Sequence, residues 1–480
     1  MRLRTVFFLP LVALVWHCGS SSSSTSPGLD AGTPPTPPPG TPGDDGGGSC
    51  TANAACTTNP GAACRTGVTS CTSGATSCVD GPPVADGTTC ASGVCTRGAC
   101  LGSAMVTSSV DLSQASVTQG RTCAAEAPSF SVTALTATTA TLGAAPAGDC
   151  LAAGDEALLV NLQGTSTSTS SVGNWELLSV ASVSGTTVTF ASAKTKTYGA
   201  SGDTPIGTGA TDQKVALVRV PQFGTLTVAA GGTLTTSAWN GTTGGVLALR
   251  AAKLTVAGTI TAAALGYRGG QWSRDDASCD DSVQTETGES IGGPGIAQLT
   301  ASNGGPGGIG PGGGISFISS APQNAGAGHA GAGEAGSDGN GRTVGDPGGS
   351  YGANDASKLT MGSGSSGNLT CANGFPGPAL VDVNERLAGG IIAIFASTLE
   401  VQAGGSITAT AAPSSRNVSA SGGYVFLMGT TLTLGDGLVT AAGGVAIAQD
   451  GAAPVKSSDG YVVVKAATVS GTTTPAANKL

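Results

Sequence analysis

A chain of 480 residues with formal net charge −9 and only 10 % charged side chains must cover its surface with Gly, Ser, Thr, Ala and Asn, because ordinary globular domains carry about 25 %. That balance argues against nucleic acid or anionic lipid as a partner, since phosphate recognition needs clustered Lys and Arg.

Residues 1–18 read as a targeting segment. Arg2 and Arg4 form a basic start, Val6 to Val15 is apolar but too short for a permanent span, and the segment ends at Cys18 before Gly19 and a serine run. It resembles a bacterial lipoprotein signal, which implies lipidation at Cys18, an anchor that attaches to the membrane without crossing it. No acidic residue follows Cys18 directly, which for such a signal implies the outer membrane. Cleavage before Cys18 removes Arg2 and Arg4 and takes the charge from −9 to −11.

The cysteine count agrees with export. With Cys18 carrying lipid, the 13 cysteines leave 12, in even groups: eight between 50 and 100, then Cys123 and Cys150, then Cys279 and Cys371. An oxidising compartment and disulfides follow. Residues 19–49 form a Ser/Pro/Gly-rich tether with nothing to bury. Residues 50–104 are a cysteine-rich module whose pairing the sequence does not choose. With almost no apolar sequence between the cysteines, disulfides rather than a core must hold it.

Residues 105–224 carry β-rich runs, among them NWELLSVASVSGTTVTFAS (174–192). Ser184-Gly185 between two alternating runs predicts a hairpin. The segment is expected to be a small antiparallel β domain stapled by Cys123 and Cys150, with Trp175 in core or rim packing.

From 225 to 480 a unit recurs: GGVLALRAAKLTVAGTITA (244–262), GGIIAIFASTLEVQAGGSITA (389–409), GGYVFLMGTTLTLGDGLVTA (422–441) and DGYVVVKAATVSG (459–471). Each opens on a glycine turn and a run apolar on both faces, then alternates. A run apolar on both faces must be covered on both, and units that cannot bury a face alone must stack. The predicted fold class is all-β: a β-solenoid of the parallel β-helix kind, with β-sandwich as the alternative. The spacing of 145 between the first two turns (Gly245 to Gly390), against 33 and 37 afterwards, marks a long insertion at about 265–388.

The insertion is glycine-rich, with 31 glycines in residues 266–380. Gly304, Gly307, Gly310 and Gly313 recur at period three, as suits polyproline-II-like helices that pack backbone to backbone. A flexible linker is the alternative. Cys279 and Cys371 are placed to clamp its base. Tyr267, Trp272, Phe317, Tyr351 and Phe375 are candidate ligand contacts, since aromatic faces in an uncharged setting suit glycans, and equally suit pinning glycine segments together. In DDASCDDSVQTETGE, the residues Asp275, Asp276, Asp280 and Asp281, with Glu286 and Glu289, form either a solvated loop or a Ca²⁺ site. His329, the one histidine outside the targeting segment, lies among alternating Gly and Ala and is expected to face solvent. No catalytic constellation and no cofactor are expected.

The runs AGDEALLVNLQG, VALVRVPQFGTLTVAAGGTLTTSAWNGTTGG and GGIIAIFASTLEVQAGGSITA resemble glycine-rich bacterial surface proteins, including some labelled adventurous gliding motility proteins. The glycine insertion is similar in style to the tip domains of some phage tail-fibre adhesins. The resemblance covers about 150–470 and implies a non-enzymatic cell-surface role, adhesive or structural. The expected partner is a surface glycan or an envelope protein; a polysaccharide-active enzyme or a scaffold subunit of an envelope machine is the alternative.

Overall fold

The computed structural model describes residues 51–56, 64–71, 76–85, 88–90, 93–96, 98–118, 121–270, 284–295, 297–299, 326–337, 343–345, 347–365, 387–413, 419–446 and 454–480. Among them the chain is all-β, and its largest element is a 13-stranded, mostly parallel sheet. The parallel strands Gln222–Val228, Val246–Val256, Ile391–Val401, Tyr424–Thr440 and Tyr461–Thr474 pair in that order. A second ladder runs through Thr233–Thr235, Thr259–Thr261, Ser406–Thr408 and the far end of Tyr424–Thr440.

The glycine turns predict the register. Val246, Ile391, Tyr424 and Tyr461 each follow a turn, and they are successive partners across the sheet. Leu226, Leu254, Leu399, Leu432 and Val469 likewise align, as do Leu234, Ile260, Ile407 and Val439. Because side chains alternate along a strand, these residues enter one shared core while Thr225, Thr227, Thr259 and Thr261 between them stay partly exposed. The ladders are parallel, so the antiparallel sandwich alternative does not form.

The glycine-turn runs are covered on both sides, as their composition demands. Leu247, Leu249, Ile392, Ile394, Val425 and Leu427 face the shared core. Their alternates Val246, Ala248, Ile391, Ala393, Phe395 and Phe426 enter a second core on the opposite face.

Half of that second cover is a barrel. Strands Ser129–Leu135, Thr139–Leu142, Glu156–Gln163, Trp175–Ser184, Thr187–Phe190 and Lys214–Val220 close on themselves, every neighbour antiparallel. Closure leaves no free edge. The predicted hairpin is present, with Gly185 at φ 56° in its turn and Ser184 paired to Thr187. All residues of Glu156–Gln163 and Lys214–Val220 are buried. Ala157, Leu159, Val215 and Leu217 fill the barrel, while Leu158, Val160, Ala216 and Val218 press outward onto the sheet.

The expected domain 105–224 is therefore too wide. The barrel proper spans 129–220, and its flanks belong to the parallel sheet. Ala104 pairs with Leu226, Val106 with Val228 and Val110 with Leu234, adding one turn of the repeat before the barrel. The run SAMVTSSVDLS is short and lacks a glycine turn, so its kinship with TLTVAAGGTLT is legible only from the alternation.

In the cysteine-rich module the disulfides are Cys56–Cys78, Cys64–Cys95 and Cys90–Cys100, and Cys71 is also bonded. Its last strand, Ala99–Val106, continues into the parallel sheet, and Gly93–Thr96 lies antiparallel along its other side. The chain thus runs from module to sheet without a break at 104. Cys123 and Cys150 form the expected staple. Replacing both by serine should cost about 3.5 kcal/mol, because 27 residues separate them and the cross-link limits the unfolded chain. Urea unfolding under oxidising conditions would measure this, and an unchanged midpoint would show that the link adds nothing.

Candidate functional site

The described parts of the insertion form the other half of the second cover. Tyr351, Ala356, Leu359 and Met361 pack on the sheet beside Trp239, Tyr267 and Ile291. Behind them lies a layer of extended segments, outside any strand, tied backbone to backbone. Gly362 N–H donates to Gly389 O at 2.9 Å, Gly389 to Ser421 O at 3.1 Å, Gly422 to Ser458 O at 3.1 Å and Ser458 to Ala327 O at 2.8 Å. Glycine permits the approach: a Cβ at Gly422 would overlap the Ala441 carbonyl oxygen, and one at Gly364 that of Arg268.

His329 sits inside this layer at 0 % exposure rather than facing solvent. The Gly and Ala on either side of it made the segment look bare, whereas they are what lets it be enclosed. Nδ1 is 2.7 Å from Gly422 O and Nε2 is 2.8 Å from Thr360 Oγ1. A carbonyl only accepts, so Nδ1 carries the proton and Nε2 accepts from the threonine hydroxyl. The ring lies 4.7 Å from that of Tyr351 and 5.0 Å from that of Tyr461. The imidazole therefore joins three segments and stays neutral.

Burial pushes the His329 pKa down from 6.5 to about 4, against a smaller opposing effect of the Gly422 carbonyl. The unfolded chain binds this proton more readily, so stability falls as pH drops from 6.5 towards 4. The loss reaches roughly 3 kcal/mol for this one group. Urea midpoints across that window should decline in the wild type and flatten in His329→Gln; parallel profiles would remove His329 as the cause. Glu126 acts lower in pH. Burial alone would raise its pKa, but Ser116, Thr118 and the Val117 N–H donate to the carboxylate and hold it below the ordinary value.

Among the aromatic candidates, Tyr267 and Tyr351 are corrected. Both are buried, at 0 % and 8 % exposure. The Tyr267 hydroxyl donates to Leu162 O in the barrel, and that of Tyr351 donates to Met361 O at 2.7 Å. They pin segments together and offer no open face. Trp272, Phe317 and Phe375 lie outside the described residues, as do Cys18, Cys279, Cys371, the period-three glycines 304–313 and the acids Asp275, Asp276, Asp280 and Asp281. Glu289, counted with those acids, is instead buried and bonded to Arg268 Nε at 2.9 Å and Gln163 Nε2 at 3.0 Å. Cys64, Cys90 and Cys100 converge as three sulfurs, but all are oxidised in disulfides, which removes the thiolates a metal needs.

Trp175 packs at the rim of the second core, as expected, and its partners there come from three parts of the chain. Its ring packs 5.6 Å from Phe426 and 6.2 Å from Phe395, and its indole N–H donates to Ala356 O at 2.8 Å. It thereby joins barrel, sheet and insertion at one point. Phe395 and Phe426 stand on neighbouring strands, Phe395 paired with Arg250 and Met428 and Phe426 paired with Ala393.

No protein-family model matches the chain, and no curated protein does. Among solved structures, part of the chain is similar to the crystal structure of the tailspike protein gp49 from Pseudomonas phage LKA1, at 21 % identity over 28 % of this chain and 23 % of that one, with a TM-score of 0.13. The match spans about a quarter of the tailspike's length.

Proposed function

We propose that the chain is a non-enzymatic lipoprotein of the outer membrane, anchored through Cys18 and exposed at the cell surface as an adhesin or structural component. In this reading the parallel stack is a β-solenoid of the β-helix kind, the glycine segments are polyproline-II-like, and the insertion is the contact region for a surface glycan or an envelope protein.

The observation that carries the reading is how the reactive side chains are engaged. His329 bonds Gly422 and Thr360, Glu289 bonds Arg268 and Gln163, and Glu156 takes the Arg250 guanidinium at 2.7 and 2.9 Å. Each holds segments in place, which suits an inert support. The disulfides fit an extracytoplasmic compartment.

Incubating the purified protein with polysaccharide panels tests the reading. Retention without new reducing or unsaturated ends is expected, and sustained release of such ends would replace it with the enzyme alternative. Fatty-acid-analogue labelling should mark the protein and vanish in Cys18→Ser; a label that persists would move the anchor elsewhere.

A further inference from the structure

Lys196 and Lys358 meet where the barrel touches the insertion. Lys358 Nζ donates to Ser170 O at 2.6 Å and to Asn174 Oδ1 at 2.7 Å. Lys196 Nζ reaches Ser357 O at 3.3 Å, the residue before Lys358, and lies 5.7 Å from the Trp175 ring centroid. Both lysines are partly exposed. Burial and, after it, the charge of Lys196 depress the Lys358 pKa.

Other cations nearby are matched. Lys194 pairs with Asp203 at 2.5 Å, Arg219 with Asp155 at 3.2 Å and Arg250 with Glu156 at 2.7 Å. Among the described residues, neither Lys196 nor Lys358 has a carboxylate within ion-pair distance. Two acids stand close, and each carries hydrogen bonds of its own. Asp355 Oδ1 accepts from Ser357 N–H at 2.9 Å, although its charge still acts on Lys196. The Glu176 oxygens accept from Thr195, the Lys196 backbone N–H and the Tyr198 hydroxyl. An ammonium has three N–H donors. Two on Lys196 and one on Lys358 are therefore left without an acceptor among the described residues. Two like charges held together raise the energy of the free protein, and an arriving anion relieves it.

We infer that this junction binds the carboxylate of a uronate unit in an acidic polysaccharide. The inference rests on the surface-glycan reading and names its ligand class. Charge-assisted bonds from both ammonium groups hold the carboxylate. The net charge of −9 opposes polyanions at long range, whereas a uronate carboxylate that reaches the two lysines meets them locally.

The test is retention of the intact protein by alginate, dextran sulfate and neutral dextran in affinity electrophoresis, at low and physiological salt. Alginate should retain the wild type most. Lys196→Gln should weaken that retention about tenfold, the loss of one charge-assisted contact worth roughly 1.4 kcal/mol, and Lys196→Arg should restore most of it. Lys358→Gln should act in the same direction, with its thermal midpoint recorded because Lys358 also holds Ser170 and Asn174. Unchanged alginate retention in Lys196→Gln, or a preference for dextran sulfate, overturns the uronate site. If neutral dextran is retained while alginate gains nothing, the site falls and the surface-glycan reading stands. If no polymer is retained, both fall.

Discussion

Replacing Leu359 and Met361 together by alanine should lower the unfolding free energy by about 4–10 kcal/mol, since each large-to-small change in a core costs about 2–5 kcal/mol. Both side chains are at 0 % exposure, against the sheet face lined by Ile391, Ala393 and Phe395. Total stabilities are about 5–15 kcal/mol, so the double variant should be largely unfolded near physiological temperature. Tryptophan fluorescence in urea would follow it, because Trp175 and Trp239 share that core. From sequence, residues at about 265–388 read only as an insertion between stacked units. The packing adds a role: deleting 268–385 would uncover an apolar sheet face, and the remainder should lose cooperative unfolding. A double variant with an unchanged midpoint would show that the face needs no such cover.

Gly422→Ala should be strongly destabilising for the addition of a single methyl group. The new Cβ would meet the Ala441 carbonyl oxygen and the Gly460 nitrogen, both backbone and neither able to rotate away. Relief requires neighbouring segments to separate, breaking the 3.1 Å bond from Gly422 N–H to Ser458 O and the His329 contact with Gly422 O. Overpacking costs about 1–3 kcal/mol where side chains can adjust, so a loss of about 3 kcal/mol or more is expected here. Gly331→Ala is the control. It lies in the same layer, and its nearest neighbour would be Ser458 Oγ at 3.6 Å, an ordinary contact. Thermal unfolding of the two variants should differ sharply, and equal midpoints would refute close packing as the reason for glycine at 422.

The parallel stack was legible because two signals coincide in each unit. A glycine turn fixes where the strand starts, and alternation fixes which residues point inward. Hence Val246, Ile391, Tyr424 and Tyr461 could be aligned from their turns alone, and the sheet pairs them so. The first turn was lost because Ser103–Val106 has alternation without the glycine marker. Barrel closure was not legible, since pairing of Ser129–Leu135 with Lys214–Val220 joins strands some eighty residues apart in sequence and no local pattern encodes a partner. The enclosure of His329 was not legible for a related reason. Small flanking residues look exposed in a list, yet they are what lets several backbones crowd around an imidazole. Tyr267 and Tyr351 fell to the same effect, as their hydroxyls find carbonyls on segments remote in sequence. Chemical reading of residue types finds candidates, and only the three-dimensional arrangement says which surfaces they face.

Both long excursions leave the stack after one turn and rejoin it at the next. The chain departs after Ser109–Asp111 and re-enters at Gln222–Val228, then departs after Thr259–Thr261 and re-enters at Ile391–Val401. Strand partners on either side stay in step whatever length of chain intervenes. Evolution can therefore lengthen, shorten or exchange the outer part of either excursion as a cassette, provided the few residues that seal the sheet are kept. Such an architecture lets the outward-facing chemistry diversify quickly while the support beneath it stays constant.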